Sequence, residues 1–193
     1  MRPRLPLTAL LCLAALYAAA VSARVAGDAA QHPSLGRVLA AKVSEEIAPG
    51  DYETLLKGIQ ANPGQFNRKI LLLDTIGGSA PEAMRMGRLL RETGFDALVP
   101  STGLCQGSCI YLLAAGHRKT VSGHVSLHRP PFSSGDSAQA QAAHRHERYS
   151  PAAYFREMKV PSRLAEEMQR IAPQRMKLLS AQELASYGLS ELK

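Results

Sequence analysis

Hydrophobic and polar residues alternate along the chain in two rhythms: short apolar runs bounded by turn residues, and longer stripes at helical spacing. Residues 37–43 read as a strand. Pro49-Gly50-Asp51 marks a turn, and residues 52–60 set Leu55, Leu56 and Ile59 on one helix face. Asn62-Pro63-Gly64 breaks that stripe. Ile70-Leu71-Leu72-Leu73 then forms a continuous apolar run, as expected of a strand covered on both faces. Ser79-Ala80-Pro81-Glu82 predicts a capping box opening a helix that buries Ala83, Met86, Leu89 and Leu90 and stops near Gly94. A short strand over 96–99 completes a strand–helix–strand spacing, which implies a parallel crossover.

The rhythm repeats downstream. Residues 108–115 are apolar nearly all round, which predicts a buried helix ended by Gly116. Residues 121–128 predict one strand, with Val121, Gly123, Val125 and Leu127 on one face and Ser122, His124, Ser126 and His128 on the other. A loop through Arg129-Pro130-Pro131 and Ser133-Ser134-Gly135-Asp136 leads to helical stretches over 138–149, 151–158 and 162–171. Lys177-Leu178-Leu179-Ser180, a helical segment over 181–187 and Gly188-Leu189 close the pattern. The fold class is α/β, a mainly parallel sheet of repeated β-α units with surrounding helices.

The first residues follow a different logic. Arg2 and Arg4 precede an uncharged apolar run over 5–20, and Val21-Ser22-Ala23 offers small residues for cleavage. This is the layout of a secretory signal peptide, residues 1–23, with an uncleaved membrane anchor as the alternative. Residues 24–36 read as a polar linker and 37–193 as one domain, in keeping with a length of 193 residues. The expected location is periplasmic or secreted. Contact with a membrane is expected only through an uncleaved leader. Cleavage would remove Cys12 and leave Cys105 and Cys109, a disulfide candidate in an exported chain.

The net charge is +7, and a cleaved leader would take two of those charges with it. The basic residues are scattered, Trp is absent and no nucleic-acid motif appears, so nucleic acid is not expected as a partner. His144-Arg145-His146 places its imidazoles two positions apart, where they diverge on a helix. No metal or cofactor is expected.

The chemistry concentrates in Asp74-Thr75-Ile76-Gly77-Gly78-Ser79 and Gly103-Leu104-Cys105-Gln106-Gly107-Ser108-Cys109, with His128 at the end of a strand. Ser108 stands where a helix opens, as a nucleophile awaiting a base or as a plain N-cap. His128 could serve as that base, with His124 on the same face as a competitor. Gly77-Gly78 could bring backbone N–H groups close to a developing oxyanion, or simply make a turn. Cys105 and Cys109 flank the serine four positions apart. A bridge becomes feasible if Cys105 lies just before the helix.

In combination these residues resemble the Clp-type serine protease family of the ClpP/crotonase superfold. The likeness runs through Gly107-Ser108-Cys109, Leu113-Ala114-Ala115-Gly116, Arg118 and Leu127-His128-Arg129-Pro130. Upstream it includes Gly77-Gly78-Ser79. Downstream it includes Leu179-Ser180-Ala181-Gln182-Glu183 and Tyr187-Gly188-Leu189. It covers most of residues 37–190 and is closest to exported ClpP-like members that also place cysteines around the serine. The resemblance implies Ser108 as nucleophile, His128 as general base, and Gly78 and Cys109 as oxyanion-hole donors. It fails at the third catalytic position, where Met176 stands in place of an aspartate. It also departs at Thr75-Ile76, where the proteases usually carry Ser-Pro. Asp136 or Glu147 are the acids that could substitute.

Two functional classes follow. One is an exported serine hydrolase of peptide or ester bonds, working through a Ser–His dyad, with further copies of the chain in a homo-oligomer as the candidate protein partner. The other is a weakly active or inactive ClpP-fold module for binding or assembly in the cell envelope. Acyl-CoA chemistry of the crotonase kind fits an exported chain less well.

Overall fold

The computed structural model describes residues 25–129, 150–172 and 174–191. The leader, the helical stretch expected over 138–149, Asp136, Glu147 and the His144–His146 segment lie outside them. Among the described residues no helix is long and apolar enough to cross a membrane.

The molecule is α/β, built on one mixed, mainly parallel 8-stranded sheet. Strand β1 (Ala26–His32) turns back on β2 (Gly36–Ile47) as an antiparallel hairpin. Residues expected to be linker therefore include a sheet strand. Their polar sequence carries little strand signal, and the ladder with β2 supplies the order instead. Helix α1 (Asp51–Ala61) follows. Strand β3 (Arg68–Gly78) runs parallel to β2, and its apolar run extends through both glycines of the first motif.

Helix α2 (Ala80–Thr93) opens at Ser79, whose hydroxyl accepts from the Glu82 N–H, and ends at Gly94 in the left-handed conformation. The expected capping box is only half present. The Glu82 carboxylate reaches away and accepts from the N–H groups of Gly50 and Tyr52, at 3.0 and 2.9 Å. One buried acid thereby satisfies orphan donors at the start of α1. A complete capping box stands instead at Ser180 and Glu183.

Strand β4 (Asp96–Val99) pairs parallel with the first half of β3, as the crossover spacing requires. Strand β5 (Leu104–Gln106) pairs with its second half, where Thr75 registers with Cys105. Helix α3 (Cys109–Ala115) is buried along its whole length. The single strand expected over 121–128 is two strands: β6 (Lys119–Val121) beside β4, and β7 (His124–His128) beside β5. Gly123 sits between them against the carbonyls of Pro100 and Gly103, where a side chain would clash.

Helices α4 (Pro151–Glu157) and α5 (Arg163–Arg170) pack behind α3. Tyr111 meets Tyr154 edge-on at 5.4 Å and stacks on Phe155 at 5.3 Å. The Tyr154 hydroxyl donates to the Tyr111 carbonyl at 2.9 Å. Strand β8 (Met176–Leu178) adds antiparallel to β7 and forms the edge of the sheet, followed by α6 (Ala181–Ser186).

Candidate active site

The two glycine segments lie side by side at the carboxyl ends of parallel strands, the position where open α/β sheets form ligand crevices. Asp74 Oδ1 accepts from the Leu104 N–H at 3.2 Å and ties the start of β5 to β3. One turn further on, Gly77 and Gly78 adopt φ of 94° and 132°, conformations that favour glycine. A Cβ at Gly77 would lie 3.0 Å from Ser108 N and 3.3 Å from its Oγ. The glycine therefore lets β3 approach the serine to touching distance.

Ser108 follows Gly107 at the mouth of α3 and is 7% exposed. It has helical φ and ψ, and its hydroxyl makes no capping bond. The Oγ has no hydrogen-bond partner among the described residues. A disulfide joins Cys105 at the centre of β5 to Cys109 at the first position of α3, with Cα atoms 5.3 Å apart. Cys105 lies just before the helix, the arrangement that makes a bridge feasible. The covalent link closes the turn that carries Gly107 and Ser108.

His128 ends β7, next to that turn. A Cβ at Gly107 would stand 3.8 Å from its Nδ1 and 3.9 Å from its Cε1. Nδ1 is buried without a partner among the described residues, and no hydrogen bond joins the ring to Ser108. Directly across the antiparallel ladder from His128 is Met176, 60% exposed. The competing His124 opens the same strand about 13 Å away, at a rise of roughly 3.3 Å per residue. It is exposed and is not among the residues lining the cleft.

Backbone donors face the serine. The N–H groups of Ser108 and Cys109 bond no acceptor among the described residues. The Gly77 N–H donates to Thr75 Oγ1 at 3.1 Å and the Ser79 N–H to the Ile47 carbonyl at 2.8 Å. Ladder alternation then turns the Gly78 N–H away from β2.

Ser108, His128, Gly78 and Gly107 line one cleft of 240 Å³. Cys109 adjoins it through its backbone. Ile76, Ala80, Tyr111, Met168 and Glu46 complete its walls; Ile76 and Ala80 lie in segments the sequence marked, whereas Tyr111, Met168 and Glu46 carried no signal of spacing or motif. Burial pushes the Tyr111 phenol well above its ordinary value, so it stays neutral, and its hydroxyl has no partner among the described residues. The wall behind His128 is locked by Lys177 of β8, which bonds Glu167 of α5 at 2.6 Å and Glu183 of α6 at 2.8 Å. Hydrogen bonds from Lys177, and then from the Ser180 backbone, hold the Glu183 carboxyl down at about 2.

Fold and site together define an α/β protein with a serine, a histidine and free backbone donors at the carboxyl edge of a parallel sheet. No protein-family model matches the chain. No curated protein sequence matches it either.

Proposed function

We propose that the chain is an exported, ClpP-like serine hydrolase acting on peptide or ester bonds. The observation that carries this reading is the state of Ser108: a buried hydroxyl that caps nothing, in a cleft shared with His128 and Gly78. In the reaction, His128 takes the hydroxyl proton as Oγ bonds to the substrate carbonyl carbon. The negative charge that moves onto the carbonyl oxygen is received by the N–H groups of Gly78 and Cys109. As the tetrahedral species collapses, the bond to the leaving group breaks and His128 returns the proton to that group. Water then attacks the acyl-serine, giving its proton to His128. Release of the carboxylic acid product returns the proton to Ser108.

The Ser–His hydrogen bond is not made in this conformation; catalytic hydrogen bonds commonly tighten only on substrate binding. The apolar leader and the disulfide beside the serine both support an oxidising compartment outside the cytoplasm. A second reading, a binding module of the same fold with little turnover, is favoured by one observation: Met176 faces His128 where an acid would orient the ring.

Hydrolysis of an activated ester such as p-nitrophenyl acetate tests the reading. Wild-type protein should turn it over, while Ser108→Ala should lose activity to the level of buffer, and His128→Ala should lose about a hundredfold or more. Equal rates in all three proteins would overturn the assignment.

A further inference from the structure

The bulge at the rim of the cleft has a chemical consequence. Along the β2–β3 ladder Glu45 registers with Thr75, but Glu46 registers with Gly77, so Ile76 is the extra residue on β3. Ile76 is thrown outward, 60% exposed, and Glu45 takes a φ of 66°, which residues with side chains rarely adopt. Thr75 pins this arrangement. Its buried hydroxyl donates to the Glu45 carbonyl and accepts from the Gly77 N–H. This gives a physical role to Thr75-Ile76, the pair at which the chain departs from its resembled family.

The bulge aims Glu46 across the site. Its Cγ lies 2.9 Å from where a Cβ on Gly78 would stand, so the side chain arches over the glycine proposed to hold the oxyanion. The Glu46 carboxylate makes no hydrogen bond or ion pair among the described residues. It is the one carboxylate side chain in the cleft lining among the described residues. A second unpartnered polar atom, the buried Tyr111 hydroxyl, belongs to the same lining and can accept an N–H. The remaining wall is apolar at Ile76, Ala80 and Met168.

We propose that Glu46, aimed into the cleft by the Thr75-pinned bulge, selects substrates that carry a cationic group beside the carbonyl Ser108 attacks. Lysine and arginine side chains or a free amine have the required chemistry: a charge for Glu46, N–H donors for Tyr111 and a carbon stem for the apolar wall. The inference rests on the hydrolase reading, and the two can fail separately.

The experiment compares p-nitrophenyl esters of Nα-acetyl-lysine, Nα-acetyl-norleucine and Nα-acetyl-glutamate with wild-type, Glu46→Gln and Glu46→Lys proteins. The readout is the ratio of kcat/KM between esters within each protein, so a general change in rate cancels. Wild type should favour lysine over norleucine by about fivefold at low salt, in the range of a solvent-exposed ion pair. The preference should shrink as salt is added. It should vanish in Glu46→Gln and turn toward glutamate in Glu46→Lys. An unchanged ratio in Glu46→Gln would overturn the proposal. If no ester is hydrolysed, the hydrolase reading fails, and binding decides: NMR titration of Ser108→Ala with the matching lysine and norleucine amides should show a lysine preference that Glu46→Gln removes. Equal binding of the two amides there would overturn the proposal as well.

Discussion

At Nδ1 of His128 a buried nitrogen faces no acceptor among the described residues, and the residue across the ladder is a methionine. Directly opposed residues in an antiparallel pair have Cβ atoms about 4.5–5.5 Å apart, within reach of a short carboxylate. An acid there would fix the imidazole tautomer and stabilise the cation formed during attack, a role whose loss costs about 10⁴ in rate in serine proteases. Met176→Asp should therefore raise esterase turnover, by about tenfold or more. Met176→Asn, with polarity but no charge, should gain much less. Steady-state kinetics distinguish them, and an unchanged rate in Met176→Asp would place the limitation elsewhere. The candidate site was legible only in part. Ser108, His128 and the two glycines were named from motif and spacing. Glu46 and Tyr111 were not, because a bulge and a tertiary contact bring them to the cleft and neither leaves a local pattern.

Among elements, the disulfide links the sheet directly to the helix that Ser108 opens. It joins β5 to α3 across a sequence separation of 4, which closes a small loop worth roughly 2 kcal/mol in unfolded-chain entropy. Urea unfolding with reductant should show a loss near that size, and the reduced protein should also hydrolyse ester more slowly. Full activity after reduction would show that the turn holds its shape unaided. The edge of the sheet depends on charge instead. Glu183 stays ionised to about 2 when folded, against an ordinary 4.5, so its bond to Lys177 stabilises the fold above pH 4.5. That contribution falls away as pH drops from 4.5 toward 2. Amide protection factors in β8 and α6, normalised to the intrinsic exchange rate at each pH, should fall over that window before those of the β3 core. Glu183→Gln should remove the extra pH dependence, and identical profiles in both proteins would contradict it. The elements most readily read from sequence were β3 and α2, whose apolar patterns are long and bounded by glycine, and β4, which is short but follows at crossover spacing. Strand β5, three residues long, carries too little pattern to register. The break between β6 and β7 escaped because alternation runs straight through Gly123, and its cause is the neighbouring chain at Pro100 and Gly103.

For the whole molecule, the order β1-β2-β3-β5-β7-β8 places His128 on the strand beside β5, whose chain leads into Ser108, with Gly78 at the end of β3 on the other side of β5. Repeated β-α spacing predicted the parallel centre, whereas one antiparallel edge is the local β1–β2 hairpin in a polar segment and the other pairs β7 with β8, distant in sequence. This arrangement brings residues from positions 46 to 168 to a single cleft. The proposed activity stands or falls on the reactivity of one hydroxyl in that cleft. Oxidised, folded protein treated with a fluorophosphonate and mapped by peptide mass spectrometry measures it directly. The expected result is a covalent adduct on the peptide carrying Ser108, absent in Ser108→Ala and strongly reduced in His128→Ala. No adduct on the wild type, or an adduct that persists in Ser108→Ala, would contradict Ser108 as the nucleophile.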